Sequence, residues 1–216
     1  DLTATGFKTT LYTNLNVSGR KYVFMAIRRP DSYVGKPVEA GTDVFAIATG
    51  RSDNVKPTFT TGFPVDFNLY RPVTTSSWVT NARLIGRSIL YTDSSGSEQT
   101  TSSYEWNFNN GMGNWTGNQS AYRSWNWKRH AGFDVVNYIG NNSSHNEISH
   151  SLGKTPEMLW IKARNRSAVW VVYHKGLNGG TNPNTYNLQL NGAGAEGAWN
   201  WSDNTPPTST HFTVSS

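Results

Sequence analysis

Nucleotide binding, metal ligation and acid–base catalysis each need particular residues at particular spacings. A few stretches of this 216-residue sequence invite those readings. Gly192-Ala193-Gly194-Ala195-Glu196-Gly197 fits the G-x-G-x-x-G pattern and follows the apolar run Tyr186–Leu190. A dinucleotide site needs a helix next, whose amides and dipole hold the pyrophosphate. Ala198-Trp199-Asn200-Trp201 and then Ser202-Asp203-Asn204-Thr205-Pro206-Pro207 follow instead, and they cannot start a long helix. The stretch reads as a flexible turn, and no cofactor is expected. Of the five histidines, His145 and His150 stand five apart, with no acidic residue at metal-ligand spacing, and His130, His174 and His211 are scattered. They read as surface or strand-end residues, and no metal is expected. No Gly-x-Ser-x-Gly elbow argues for a Ser-His-Asp site. The fourteen carboxylates are spread singly, whereas a glycosidase needs two across a cleft. Asp66, Glu105, Glu157 and Glu196 are the ones in polar or turn-like surroundings. The absence of Cys removes disulfides, thiolate metal sites and Cys catalysis. No catalytic residue is expected, and the chain reads as a non-enzyme.

Recognition is better served by the aromatics, nine Trp, ten Tyr and nine Phe. An exposed indole offers a flat apolar platform for a pyranose ring, with Asn and Arg nearby to hydrogen-bond hydroxyls. Trp115 lies in the Gly- and Asn-rich stretch 111–118, and Trp160 points opposite to its neighbours Leu159 and Ile161 if the segment is a strand. These two, with Arg164 and Arg166, are the candidate glycan or partner contacts. Trp125 and Trp127 share a strand face and read as core, as do Trp78, Trp170 and the alternating Trp106/Phe108 and Trp199/Trp201.

The elements that must position these residues are strands. Charged residues are only 15% of the chain, too few for long solvated helices, and no window carries a convincing helical stripe. Short apolar or alternating runs recur instead: Tyr22–Ile27, Val44–Ala48, Phe67–Tyr70, Ile89–Tyr91, Trp125–Trp127, Val135–Ile139, Met158–Ile161, Trp170–Tyr173, Tyr186–Leu190 and Phe212–Val214. Turn clusters such as Asn109-Asn110-Gly111 and Asn178-Gly179-Gly180 separate them. The fold class is all-β, as tandem antiparallel β-sandwiches of jelly-roll or concanavalin-like type. The net charge of +5 comes from scattered cations, so nucleic acid is not an expected partner. No apolar run approaches the roughly 18 residues of a membrane span.

The two halves resemble each other. Gly41-Thr42-Asp43-Val44 matches Gly132-Phe133-Asp134-Val135, Pro64 matches Pro156, Trp78 matches Trp170, Phe67 and Leu69 match Leu159 and Ile161, and Trp106-Asn107-Phe108 matches Trp199-Asn200-Trp201. Met25, Ile27, Arg28 and Arg29 match Trp125, Trp127, Lys128 and Arg129. The order is preserved throughout, as loop insertions between conserved anchors would leave it. This divides the chain into 1–30, the end of a preceding unit; 31–130, a first sandwich; and 131–216, a second sandwich lacking its last strand. The chain then reads as an excerpt from a longer array.

With those anchors the chain resembles a family of repeated domains in virion proteins of marine tailed phages, especially those infecting cyanobacteria. Gly132–Asn141, Ile148–Pro156, Ile161–Asn165, Trp170–Lys175 and Trp201–Thr208 followed by Phe212 carry the resemblance, and Tyr22–Pro30 is similar in kind. The resemblance implies β-sandwich domains, a place in the virion and a structural role in a tail fibre, appendage or head decoration that supports host attachment. The implied partners are further copies of the chain, as a homo-oligomer or trimer, and other virion proteins. It supplies no catalytic residues. A glycan-binding adhesin module and, behind it, a polysaccharide depolymerase are the alternatives.

Overall fold

The computed structural model describes residues 2–3, 6–7, 40–74, 77–113, 117–129 and 132–215. The chain divides into two units, Asp1–Pro37 and Val38–Ser216. In the first, β1 (Leu2–Thr3) pairs antiparallel with β2 (Gly6–Phe7). The expected strand Tyr22–Ile27 lies outside the described residues.

The second unit is built from antiparallel strands. Its first half contributes β3 (Phe45–Thr49), β4 (Phe59–Thr60), β5 (Phe67–Pro72), β6 (Val79–Ala82), β7 (Ser88–Tyr91), β8 (Gln99–Thr100), β9 (Gly111–Met112) and β10 (Tyr122–Trp127). Six of these form one sheet in the order β3-β10-β5-β6-β7-β8, and β4 pairs with β9 apart from it. The second half contributes β11 (Asn146–Ser149), β12 (Met158–Ile161), β13 (Val171–His174), β14 (Tyr186–Gln189), β15 (Gly197–Ala198) and β16 (His211–Val214). Here the sheet order is β12-β13-β14-β15, with β11 paired to β16. The only helical turns among the described residues are short 3-10 segments, so the chain is all-β. No described strand pairing crosses the expected boundary at 130/131, although both halves lie in one compact unit.

The pairing registers repeat residue for residue. Tyr70 faces Val79 as Ile161 faces Val171; Thr80 faces Leu90 as Val172 faces Leu188; Ile89 faces Gln99 as Asn187 faces Gly197. Phe59 opposite Met112 corresponds to Ile148 opposite Phe212. Even the bond at the open end of the β5–β6 hairpin recurs: Arg83 N donates to Asp66 O, and Lys175 N to Glu157 O, both at 2.9 Å. The structural partner of Leu159 is therefore Asn68 and that of Ile161 is Tyr70, one residue away from the match with Phe67 and Leu69 that the sequence suggests. A one-residue slip exchanges the two faces of a strand. The slip explains why Phe67 and Leu69 face outward while Leu159 and Ile161 pack on the second core.

Each core sits between a sheet and its short strand pair. The first holds Ala48, Phe59, Phe63, Val65, Tyr70, Val79, Ile89, Tyr104 and Met112. Tyr70 and Tyr104 join their hydroxyls there, and burial pushes the Tyr104 phenol well above its ordinary pKa. Gly111 is required at β9, because a Cβ would collide with the Phe59 carbonyl oxygen. The second core holds Ile148, Tyr173, Trp201 and Phe212, with Val136, Leu159, Ile161, Val171 and Val214 against it.

Several expectations need correction. Trp125 and Trp127 do not fill the core, and neither does Trp78, which lies against Trp125 on the other face: the inward residues of β10 are Ser124 and Asn126, both fully buried. Polar residues are held there by hydrogen bonds to one another, with Asn68 Oδ1 left over. Asn68 Nδ2 donates to Asn126 Oδ1 at 2.6 Å, and Asn126 Nδ2 donates to Ser124 Oγ at 2.9 Å. Likewise Trp199 is 48% exposed, while Trp201 is buried and donates Nε1–H to Tyr186 O at 3.1 Å. Val135–Ile139 is not a strand, and Ile139 is 92% exposed. Besides the two-residue strands, two longer ones went unrecognised in the sequence. β6, Val-Thr-Asn-Ala, buries all four residues despite its polar pair, and β11, Asn-Glu-Ile-Ser, shows one apolar residue only.

Candidate functional site

The outward face of the six-stranded sheet gathers the aromatic and cationic side chains that β3, β10, β5 and β6 turn away from the core. Residues directly opposite in an antiparallel ladder share a face. Phe45, Trp127 and Phe67 form one row; Ile47, Trp125, Leu69 and Thr80 form the next; Thr49, Arg123 and Arg71 form a third. At one end the face is sealed. Phe133 stacks on Trp127 at 5.6 Å between centroids and 18° between planes, and it also meets Phe67 at 5.6 Å. The other end is open. Ile47 is 62% exposed, Trp125 lies 5.2 Å from Trp78, and the Arg71 guanidinium sits 4.9 Å over the Trp78 ring. The cation over the ring draws on its quadrupole and holds the indole flat. Indoles, aliphatics and guanidinium groups on one flat surface are suited to stacking a sugar ring or docking another protein face, and offer no nucleophile.

Trp160 is on the corresponding outward face of the second sheet, in register with Val172 and Leu188, and is 38% exposed. Trp115 lies outside the described residues. Arg164 is engaged within the chain: its Nε donates to Glu98 Oε2 at 2.7 Å, while its carbonyl accepts the Glu98 amide at 2.7 Å. Arg166 is exposed. These contacts belong to a clasp between the halves. Ala168 N and Lys162 Nζ donate to Ser95 O at 2.9 and 3.2 Å, and the buried Trp170 donates Nε1–H to Tyr91 O at 2.9 Å. The Ser/Thr-rich stretch after β7 thus holds the two halves together. The half-exposed Arg164–Glu98 pair adds less than about 1 kcal/mol, so the backbone bonds and Trp170 carry the joint.

The carboxylates singled out in the sequence are held by separate partners. Asp66 pairs with Arg83 and accepts the Arg129 amide; Glu105 pairs with Lys56; Glu157 pairs with Lys175; Glu196 accepts the Asn178 amide at 2.8 Å. Glu105 alone of the four lines the cleft of about 440 Å³ beside Tyr104 and Trp106. Gly194 and Gly197 of the glycine-rich stretch line a smaller hollow of about 160 Å³ with Asn187 and Gln189, and a short strand and turn follow rather than a helix.

One cluster was missed. His145 Nδ1 lies 3.0 Å from Asp203 Oδ2 and its Nε2 lies 3.6 Å from Glu147 Oε1, with His211 Nε2 3.4 Å from the same glutamate. Glu147, two residues from His145, was the available signal; Asp203, 58 residues away, left none. Both imidazole nitrogens face carboxylates, so neither is open to activate a hydroxyl. Among the described residues no group of His, Cys, Asp and Glu is arranged to hold a metal ion. Hydrogen bonds donated to Asp203 and then to Glu147 raise the His145 pKa above its ordinary value. An NMR titration should show that elevation, and Asp203→Asn should return the value most of the way toward 6.5. An unchanged midpoint would mean that the contact is absent in solution.

Fold and site thus define an all-β protein of antiparallel sheets whose most distinctive surface is a flat aromatic face. Residues 80–216, more than half of the chain, match the family described as "Domain of unknown function (DUF7483)", and the chain belongs to that family. No curated protein and no solved structure matches it.

Proposed function

We infer that this chain is a non-catalytic structural module of a phage virion, in a tail fibre, appendage or head decoration, that associates with further copies of itself and with other virion proteins. The virion location rests on the resemblance of Gly132–Asn141, Ile148–Pro156 and Trp170–Lys175 described above. The observation that supports a structural role is the clasp of Ser95, Glu98 and Tyr91 against residues 162–170. It joins two sheets of the same register through backbone bonds, which limits bending and suits a rod or shell element. Gold-labelled antibody against the chain should decorate one substructure of purified particles at regular copy number. Intact particles whose proteins include no peptide of this chain would end this reading.

The open end of the outward face supports a second reading, a module that contacts host glycans directly. Trp125 beside Trp78 under Arg71 is the platform in that case. Binding to lipopolysaccharide fragments that Trp125→Ala weakens at least tenfold would favour this reading. A flat response across a glycan array would remove it.

A further inference from the structure

The glycine-rich stretch Gly192–Gly197 is the second half's version of Ser94–Gln99, and backbone hydrogen bonds match the two position by position. Ser94 N donates to Tyr91 O as Gly192 N donates to Gln189 O, at 3.3 and 3.1 Å. Thr101 N donates to Arg87 O as Trp199 N donates to Thr185 O, at 3.1 and 2.9 Å. In the first half, β7 turns Ile89 into the core, with Tyr91 packed against it. In the second half, β14 carries Asn187 and Gln189 at those places, and Gly197 stands opposite Asn187 where Gln99 stands opposite Ile89. The exchange opens a hollow of about 160 Å³ lined by Asn187, Gln189, Gly194, Ala195 and Gly197.

Packing alone does not account for two features of this hollow. Asn187 is 6% exposed, and an amide at a place that Ile89 fills with a core side chain costs stability unless it is well hydrogen-bonded. Its Nδ2 donates to the adjoining Leu188 O at 3.3 Å, beyond the usual N–H···O range. The glycines are the second feature. Gly194 and Gly197 have no positive φ, and a Cβ on either would meet nothing within 4 Å. Neither backbone conformation nor close approach demands glycine there, although glycine costs chain entropy on folding. Gly197 shares a face with Asn187, so a larger residue at 197 would project into the hollow. Glu196 is tied back to the Asn178 amide at 2.8 Å, which fixes this wall, and no charged side chain of the described residues lines the hollow.

We propose that this hollow binds one neutral sugar ring. A carboxamide donates through its nitrogen and accepts through its oxygen, so Asn187 and Gln189 can each span two adjacent hydroxyls. The bare backbone at Gly194 and Gly197 lets the ring approach closely. The volume falls below the roughly 300–1,000 Å³ of sites for drug-sized ligands, which suits a single ring rather than a chain of them. An uncharged lining matches hydroxyls and not a carboxylate or a phosphate. The site belongs to the second sheet and stands independently of the Trp125–Trp78 platform.

Proton–nitrogen correlation NMR of the full 216-residue chain tests it. The probes are methyl α-glucoside, methyl β-galactoside, methyl α-mannoside and N-acetylglucosamine, with inorganic phosphate and acetate at the same concentrations. At least one sugar should shift the backbone amides of Gly194, Ala195 and Gly197 and the side-chain amide signals of Asn187 and Gln189. The shifts should saturate with an affinity on the order of millimolar, as for a ligand of few atoms. Gly197→Ala should keep the unfolding midpoint or raise it, yet weaken binding at least tenfold. Asn187→Ile with Gly197→Gln restores the pair found in the first half and should abolish binding; if it fails to fold, Gly197→Ala carries the test alone. Three results would overturn the proposal: no shift at these signals with any of the sugars, undiminished binding by Gly197→Ala, or phosphate or acetate moving the same signals at lower concentration than the sugars do, which would mark an anion site.

Discussion

Phe59→Ala should lower the unfolding free energy by about 3–5 kcal/mol, the cost of removing a large aromatic ring from a site that cannot collapse. Phe59 is fully buried and faces Met112, also fully buried, across the only two paired positions of β4 and β9; its ring lies 6.0 Å from Tyr70. This two-stranded layer closes the first core against the six-stranded sheet, so few neighbours can move in to fill the space. A domain with about 5–15 kcal/mol in total loses much of its margin by such a change. Denaturant unfolding would read it as a lower midpoint at unchanged slope. Thr60→Ala, one residue on and exposed, serves as the control and should stay within about 0.5 kcal/mol. Equal effects at both positions would show that β4 does not cover a packed core.

Asp134→Ala should cost about 2–3 kcal/mol near neutral pH, through lost charge-assisted hydrogen bonds at the turn between the halves. The Asp134 side chain is 4% exposed. Its oxygens accept Arg129 Nε at 2.6 Å, Ser151 N at 2.7 Å and Ser151 Oγ at 2.9 Å. Burial by itself pushes the carboxyl pKa up, but the amide and hydroxyl of Ser151 and the Arg129 guanidinium outweigh it, and the net pKa is below the ordinary value. A depressed folded pKa stabilises the fold fully above the unfolded value of about 3.9, and that contribution fades as pH falls through the lower folded value. The difference between the parent chain and Asp134→Ala should therefore be constant from about pH 5 to 8 and shrink as the pH is lowered below about 4. A difference that grew on acidification would mean that Asp134 is not held as the carboxylate.

The class of fold was legible because strand and turn patterns are local. β12, β13 and β14 fall within a residue or two of the expected runs, and the matched Trp78 and Trp170 directly precede the corresponding strands β6 and β13. The facing of strands was less legible. Alternation in Ser-Trp-Asn-Trp of β10 marks two faces but not which is inward, and hydrophobicity alone favours the indoles. The interior chose Ser124 and Asn126, because Asn68 across the ladder donates to Asn126 and Phe133, beyond the end of the strand, covers Trp127 instead. The same ambiguity displaced the β5/β12 match by one residue. Of the candidate contacts, Trp160 could be placed from its neighbours, since a residue between Leu159 and Ile161 on a strand must face the other way. Nothing local foretold that Arg164 would close on Glu98, 66 residues earlier, or that His145 would meet Asp203.

The contrast between the inward residues of the two sheets has a consequence for fidelity. Asn68 lines the first sheet beside β10, whereas Leu159 occupies the equivalent place in the second. A strand bearing Ser and Asn inward, moved from the first position to the second, would bury amides among aliphatics with no acceptors to meet them, at a cost of about 1–3 kcal/mol for each unsatisfied group. An apolar strand moved the other way would strand the amide of Asn68. The two near-identical registers are therefore coded against exchange of strands between the halves.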